Sequence, residues 1–202
     1  MNKIITISRE FGSGGREIAQ ELAKTLNIPY YDKEILKQIA EHTKLAKNYV
    51  EKIMETPMYF PFPILSAHSF SIPNHTLEQQ NTIYTVQHKI IRQLAEKSSC
   101  IIVGRCSDYI LNDMNPLKVF IYADIEYKIK RCLYKENTAS NISLTDIRKH
   151  IVQITKDRAS YYKFYTGQKW GEKENYDICF NASKFEQHTI IEVVSALYKN
   201  TK

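Results

Sequence analysis

The chain has 202 residues, a net charge of +6 and a pI near 9.0, and 43% of its residues are hydrophobic. Its length suits one sizeable core and is short for two full domains. No apolar run approaches the ~18 residues that a membrane span requires, and residues 1–7 carry no signal-peptide pattern. We therefore expect a cytoplasmic protein with no membrane partner. The basic balance suits an anionic partner, either nucleotide phosphates or nucleic acid.

The first predicted unit is a strand, a glycine-rich turn and a helix. Residues 4–8 form a β-branched run that is typical of a buried strand. Three of the six glycines follow within four positions, at Gly12, Gly14 and Gly15. Apolar residues then recur with helical spacing from Arg16, and Asn27 is a plausible end of this helix.

The rest of the chain alternates predicted strands with predicted helices. We expect further strands at 28–31, 100–103, 119–122 and 178–180, and helices at 33–55, 76–97, from 124, at 144–164 and at 186–199. This alternation predicts an α/β fold with a parallel sheet covered on both faces. Residues 57–75 hold four of the six prolines, and this apolar stretch predicts a loop or insert that packs on another part of the molecule.

The glycine turn predicts an anion-binding site. Glycines allow successive backbone N–H groups to point inward, and a helix N-terminus adds partial positive charge. The residues that would hold phosphate are Gly12, Ser13, Gly14, Gly15, Arg16 and Glu17. A plain tight turn between strand and helix is the simpler alternative.

This turn departs from the standard phosphate loop, which requires Gly-x-x-x-x-Gly-Lys-Ser/Thr. Arg9 stands at the first glycine, and Gly15 stands where the lysine should be. Arg16 could supply the missing charge through a forked guanidinium rather than a point charge. Glu17 falls near the metal-binding hydroxyl and Ser13 is its nearby substitute, so the ligand for magnesium is left open between them.

Two other readings of the sequence start from different patterns. Asp32 lies twenty residues after Gly12, as a ribose-binding acid would in a dinucleotide site, and Tyr165-x-x-x-Lys169 has the spacing of a dehydrogenase pair. The stretch 156–170 mixes basic and aromatic side chains, which could stack on single-stranded nucleic acid or pack inside a closing lid.

The four cysteines and six histidines predict no metal site. None of the cysteines is spaced as Cys-x-x-Cys, and Cys100, Cys132 and Cys179 have apolar neighbours. Such thiols usually behave as small buried hydrophobes, so we expect reduced structural cysteines.

Several segments together resemble the cytidylate kinase-like family, a branch of the nucleoside-monophosphate kinases. The resemblance covers nearly the whole chain, and its order and spacing carry more weight than any single piece. The matching segments are residues 7–17, 30–34, 103–106, 118–123, 157–162, 165–167 and 170–171.

The resemblance implies a P-loop fold, a three-layer α/β/α arrangement with five parallel strands in a single domain. It also implies a helical segment that binds the acceptor nucleotide, at about 33–97, and a lid within 148–172. Family members carry Gly-Arg-Asp after the third strand, whereas Cys106 follows Gly104-Arg105 here and Asp108 comes two residues later. Asn181 stands where an aspartate typically follows the fifth strand.

The resemblance also implies roles for individual residues. Arg158 is the best match to the lid arginine that neutralises the transferring phosphoryl group, and Arg148 and Lys156 are its helpers. Asp32, Arg105 and Asp108 would bind the acceptor. Asp32 would have a positioning or metal-linked role, although it could simply be the N-cap of the helix that follows.

The expected activity is transfer of a phosphoryl group from ATP with Mg²⁺ to CMP or dCMP. The main alternative is a nucleotide sensor that kept the fold and lost the chemistry, because the loop lysine is absent. A nicotinamide-dependent oxidoreductase and an RNA-binding protein are weaker alternatives. The sequence leaves the oligomeric state open.

Overall fold

A computed structural model of the chain describes residues 2–55, 74–135 and 143–200. The strands are β1 (Ile4–Arg9), β2 (Tyr30–Tyr31), β3 (Cys100–Val103), β4 (Leu117–Tyr122) and β5 (Ile178–Asn181). The helices are α1 (Gly15–Leu26), α2 (Lys33–Thr43), α3 (Lys47–Glu55), α4 (Asn74–Lys97), α5 (Ser107–Ile110), α6 (Ile125–Lys135), α7 (Leu144–Thr166) and α8 (Gln187–Asn200). Two 3₁₀ turns lie at Asn112–Met114 and Lys173–Asn175.

The five strands form one parallel sheet in the order β2-β3-β1-β4-β5. The central strand β1 pairs with β3 and β4, so that Ile7 aligns with Val103 and Arg9 aligns with Ile121. In a dinucleotide-binding fold β1 would lie beside β2. The strand order therefore removes the fold on which the oxidoreductase alternative depends.

Alternating side chains on the strands feed two separate cores. On β3, Cys100 and Ile102 pack into the core under α2, α3 and α4, whereas Ile101 and Val103 pack into the core under α1 and α8. Strands buried on both faces are typical of parallel sheets. The predicted three-layer α/β/α fold is confirmed.

Helix ends follow the sequence in some places and not in others. Asn27 adopts a left-handed conformation, with φ of 52°, and caps α1 as predicted. The helix expected over 33–55 is instead two helices, because Lys44 turns left-handed, with φ of 57°, after α2. Helix α5 was not predicted. Most of the insert expected at 57–75, namely 57–73, lies outside the described residues.

The stretch predicted to be a lid is largely helical. Residues 148–166 belong to α7, which begins after Ser143, whose hydroxyl accepts a hydrogen bond from the Asp146 N–H at 3.1 Å. It ends at Gly167, with φ of 71°. Tyr161 and Tyr162 anchor its last turns in the core. Whether this segment moves as a lid stays a prediction.

Two further expectations meet findings in the described part of the chain. The four cysteines are free, and Cys100 and Cys106 are buried. Among residues 2–55, 74–135 and 143–200, no helix is long and apolar enough to cross a bilayer.

Candidate functional site

Two clefts meet at the carboxyl ends of β1 and β3. The first, which we call the loop cleft, lies between the glycine turn and α6. The second, the strand-end cleft, lies against α7. Ligands of open α/β sheets bind at this edge, outside the carboxyl ends of the strands.

The glycine turn forms the wall of the loop cleft. Gly12 and Gly14 have φ of 79° and 87°, which lets the chain fold back before α1. Ser13 is buried: its hydroxyl donates to the Glu10 carbonyl at 3.0 Å and accepts from the Gly15 N–H at 3.4 Å. Gly14 provides no side-chain cap for α1. The N-terminus of α1, with its partial positive charge, thus lines the loop cleft, an arrangement that suits an anion as in known phosphate sites.

Arg9 is the residue whose importance the sequence did not reveal. Its side chain is 11% exposed and lines both clefts. It passes over Gly15, where an added Cβ would lie 2.6 Å from the Arg9 Cβ, and reaches Gly104, where an added Cβ would overlap its Nη1. Two glycines that look like ordinary turn residues thus leave the space that the Arg9 side chain occupies.

Arg16 turns toward Asp32 at the end of β2. Its Nε lies 2.6 Å from Asp32 Oδ2, and its side chain is 43% exposed. Asp32 Oδ1 lies 3.8 Å from Arg9 Nη2, and the Tyr30 hydroxyl donates to Oδ2 at 3.3 Å. Asp32 is at the N-cap position of α2 but makes no side-chain capping bond. It therefore serves the arginines rather than the helix.

Helix α6 places two cations against the glycine turn and the start of α1, where each pairs with a carboxylate, and of the two Arg131 lines the loop cleft. Lys128 Nζ lies 2.8 Å from Glu10 Oε2, which also accepts the Ala123 N–H at 3.2 Å. Arg131 Nη2 lies 3.5 Å from Glu17 Oε2. The Arg131 guanidinium also lies within 3.2 Å of the place where a Cβ on Gly14 would be. These pairs join residues far apart in sequence, and no motif predicted them.

Arg158 stands at the junction of the two clefts. It projects from α7, lines both clefts, and its Nη1 donates to the Arg9 carbonyl at 3.1 Å. Its guanidinium lies 5.8 Å from the centre of the Phe11 ring. The predicted helpers lie elsewhere: Arg148 pairs with Glu126 of α6, and Lys156 is exposed. Neither lines a cleft.

Three arginines line the strand-end cleft, and no carboxylate does so among the described residues. Arg105 and its neighbour Cys106 are both left-handed, with φ of 61° and 55°. Such strain in two consecutive non-glycine residues persists only where the surroundings impose it, and it is frequent at functional sites. The cleft is lined by Ser8, Arg9, Gly104, Arg105, Cys106, Arg158, Tyr161, Tyr162 and Trp170.

A family model described as the cytidylate kinase-like family matches residues 4–184. The chain belongs to this family. It is 21% identical, over 96% of its length and 93% of the relative's, to a cytidylate kinase of Sulfurisphaera tokodaii. The predicted resemblance is confirmed, and with it a kinase-like, nucleotide-binding phosphotransferase.

Solved structures share the fold. An uncharacterized protein from Eubacterium ventriosum superposes with a TM-score of 0.72 at 29% identity, covering 98% of this chain and 99% of that one. A shikimate kinase from Bacteroides thetaiotaomicron superposes with a TM-score of 0.56 at 13% identity, with the same coverage.

Asp108, which the family resemblance predicted to bind the acceptor, lies behind the strand-end cleft. It is 2% exposed, and the Tyr162 hydroxyl donates to its Oδ2 at 2.7 Å. Burial raises the pKa of Asp108, and the hydrogen bond from Tyr162 offsets part of that rise. Asp108 does not itself line the cleft of this cytidylate kinase-like protein, but it accepts a hydrogen bond from Tyr162, which does.

The two residues of the dehydrogenase-like pair do not come together in the folded protein. Tyr165 stacks on Tyr84 with ring centres 3.9 Å apart and donates to the Gln80 carbonyl at 3.2 Å. Lys169 is 80% exposed and pairs with Glu172 at 2.6 Å. Tyr165 thus packs against the core, whereas Lys169 lies in solvent.

The aromatic stretch likewise offers no platform for nucleic acid. Tyr161 and Tyr162 are buried, and Trp170 packs edge-on against Phe120 with ring centres 5.2 Å apart. Their rings belong to the core and to one cleft wall, whereas single-strand binders expose their aromatic faces. The RNA-binding alternative finds no support here.

Proposed function

We propose that this protein transfers a phosphoryl group from ATP to a pyrimidine nucleoside monophosphate, CMP or dCMP. The observation that carries the proposal is the position of Arg9 and Arg158, which line both clefts at the point where the clefts meet. A phosphoryl group that crosses from one cleft to the other must pass these two guanidiniums. The kinase-like family and the kinase neighbours support the same reading.

The loop cleft is the donor site in this proposal. Its glycine turn and the start of α1 offer N–H groups to the phosphates, and Arg9, Arg16 and Arg131 add charge. Mg²⁺ is usually held by one or two carboxylates together with substrate phosphates. Glu17, on the cleft surface, fits that requirement, whereas Ser13 already uses its hydroxyl within the turn. The bound ion would supply charge neutralisation between the donor phosphates.

The strand-end cleft is the acceptor site. Arg105 supplies a forked donor that suits the phosphate of a monophosphate, and Trp170 and Tyr161 give the cleft an apolar wall. The absence of carboxylates on its described wall favours an anionic occupant. Asp32 holds Arg16 and approaches Arg9 from the side, which makes it a positioning residue.

The chemistry asks for charge and alignment rather than for a base. A phosphate oxygen of the acceptor, already anionic, forms the new bond to the terminal phosphorus of ATP. The bond from that phosphorus to the bridging oxygen breaks, and ADP leaves with the electron pair. Arg9 and Arg158 neutralise the charge on the transferring group, an effect that in arginine-dependent enzymes contributes ~10³–10⁵ in rate.

The test is a chromatographic turnover assay with ATP, Mg²⁺ and, separately, CMP, dCMP, UMP, AMP and GMP. We expect conversion of CMP or dCMP to the diphosphate, and a loss of about 10³-fold or more in kcat for Arg158→Ala. Arg92→Ala is the matched control, because Arg92 lines neither cleft and pairs with Asp113. No conversion of any acceptor by folded protein would refute the proposal.

A nucleotide sensor without turnover is the second candidate, and one observation favours it. The carboxylates of Glu10 and Glu17, which line the loop cleft, pair with Lys128 and Arg131, and Glu17 competes there with nucleotide phosphates for Arg131. Thermal stabilisation by ATP without conversion of any acceptor would select this candidate.

A further inference from the structure

We propose that the cation of the phosphate loop has moved from position 15 to position 9, so that Arg9 binds the donor phosphates in place of the usual lysine. The inference rests on the proposed function, because the anion it invokes is the triphosphate of the donor. Against the standard motif Gly-x-x-x-x-Gly-Lys-Ser/Thr the chain differs at three positions, with Arg9 at the first glycine, Gly15 at the lysine and Arg16 at the Ser/Thr. In the structure the first two of these differences depend on each other.

The two positions exclude each other sterically. A Cβ built on Gly15 would lie 2.6 Å from the Arg9 Cβ and 3.1 Å from its Cγ. Real Cβ atoms essentially never approach another heavy atom within 3.0 Å. Because the overlap is between the two Cβ atoms, a lysine at 15 requires glycine at 9, and an arginine at 9 requires glycine at 15.

The Arg9 side chain runs from the glycine turn toward the place where the two clefts meet. From Gly15 it runs to the end of β3, where its Nη1 occupies the space beside Gly104 that a Cβ would fill. Along this path it lines the loop cleft on one side and the strand-end cleft on the other. A lysine rooted at 15 would begin in the same space.

The surroundings of Arg9 are short of negative charge. The pKa of Arg9 is lowered to about 9, first by burial and then by the cation of Arg158, while Asp32 offsets part of the effect. The guanidiniums of Arg105 and Arg16 also lower it. Arg9 stays charged at neutral pH, and a bound phosphate would relieve the repulsion among these cations.

Neither neighbouring arginine fits the role as well. Arg16, the substitute expected from the sequence, holds Asp32 at 2.6 Å with its Nε and is 43% exposed. Arg131 comes from α6 and pairs with Glu17. Arg9, by contrast, is fixed by the two glycines beneath it, and such preorganisation strengthens anion binding.

A double-mutant cycle tests the exchange directly. Arg9→Gly, Gly15→Lys and the double variant are compared with wild type by calorimetric titration with ATP and with inorganic tripolyphosphate, without acceptor. We expect each single variant to bind at least about 10-fold more weakly, the first for want of a charge-assisted hydrogen bond and the second by overlap. The double variant, which restores the first glycine and the lysine of the standard loop but keeps Arg16 at the Ser/Thr position, should return to within about 10-fold of wild type.

Two results would overturn the inference. One is wild-type affinity in Arg9→Gly. The other is a double variant that binds no better than the weaker single variant, since coupling between contacting residues is what the steric argument requires.

Folding and charge need their own controls. If Gly15→Lys does not fold by circular dichroism, Arg9→Ala and Arg9→Lys take its place. Loss of tripolyphosphate binding in Arg9→Ala with partial retention in Arg9→Lys supports the inference, and equal binding by both overturns it. Arg92→Ala, which removes a paired arginine outside both clefts, should bind like wild type.

These readouts separate the inference from the kinase proposal. Binding of tripolyphosphate that depends on Arg9, in a protein that turns over no acceptor, would refute the kinase and keep the inference. Turnover of an acceptor with tripolyphosphate binding that ignores Arg9 would do the opposite.

Discussion

The two clefts share Arg9 and Arg158 but differ in how their charges are balanced. In the loop cleft, Glu10 and Glu17 already pair with Lys128 and Arg131. In the strand-end cleft no carboxylate lines the described wall. A ligand of the first cleft must compete with built-in partners, whereas a ligand of the second brings the missing charge. Substitutions in the loop cleft should therefore be able to raise or lower the affinity for a ligand. Affinity in the strand-end cleft should depend on each arginine.

Among variants that change only one of the two clefts, the largest effect is expected for Arg105→Ala, which removes charge from the strand-end cleft alone. A charge-assisted hydrogen bond contributes roughly 1.5–3 kcal/mol, so the KM for the monophosphate should rise about 10- to 100-fold. The Kd for ATP should change by less than about 2-fold, because Arg105 does not line the loop cleft.

Steady-state kinetics and ATP titration on the same preparation measure both quantities, with Arg92→Ala as control. An increase in the Kd for ATP as large as the increase in KM would mean that the two clefts are one site.

A smaller effect is expected for Asp108→Asn, which tests the wall behind the strand-end cleft. Burial raises the folded-state pKa of Asp108 above its unfolded value. The protonated acid therefore adds stability below the unfolded pKa, and that contribution is lost as pH rises through the folded pKa. Relative to the variant, the wild type should lose about 1.4 kcal/mol per unit between the two pKa values.

Urea unfolding of both proteins at a series of pH values measures this difference. Asp113→Asn is the matched control with the opposite sign, because the hydrogen bond from Arg92 lowers the pKa of Asp113. That contribution is present above the unfolded pKa and is lost as pH falls. Parallel pH profiles for Asp108→Asn and wild type would show that the buried carboxyl is not perturbed.

The smallest effect is expected for Glu17→Gln, which releases Arg131 in the loop cleft. Partly exposed ion pairs contribute roughly 0.2–1 kcal/mol, so tripolyphosphate should bind about 1.5- to 5-fold more tightly without magnesium. With Mg²⁺ present the gain should shrink, because the variant has lost a carboxylate that suits the ion.

Titration of Glu17→Gln and wild type with tripolyphosphate, with and without Mg²⁺, measures both effects. Glu21→Gln, on the same helix and paired with Lys24, should leave both affinities unchanged. An equal gain in affinity in Glu21→Gln would show that the effect comes from the change in net charge and not from the release of Arg131.

Local sequence signals predicted the parts of the fold that depend on neighbours along the chain. The β-branched strands and the end of α1 at Asn27 are of this kind. The break between α2 and α3 is not, because Lys44 has no intrinsic preference for a left-handed conformation. The same limit explains the false match at Tyr165 and Lys169, whose spacing says nothing about burial.

The candidate site divides in the same way. The glycine turn and the arginines Arg105 and Arg158 were found in the sequence because each belongs to a recognisable segment. The pairs Glu17–Arg131 and Glu10–Lys128 join α6 to the turn across more than a hundred residues, and only the fold brings them together. Arg9 was visible in the motif, but its role depends on Gly104, which follows helices α1 to α4 in the chain.

The overlap between Arg9 and any side chain at Gly15 has a historical consequence. A lineage that changes one of these positions at a time passes through an intermediate that either has no loop cation or has two side chains in one space. Both intermediates are expected to be less fit, so a valley separates this loop from the standard one. Each form of the loop would then persist in its own descendants, and a single nucleotide substitution would not convert one into the other.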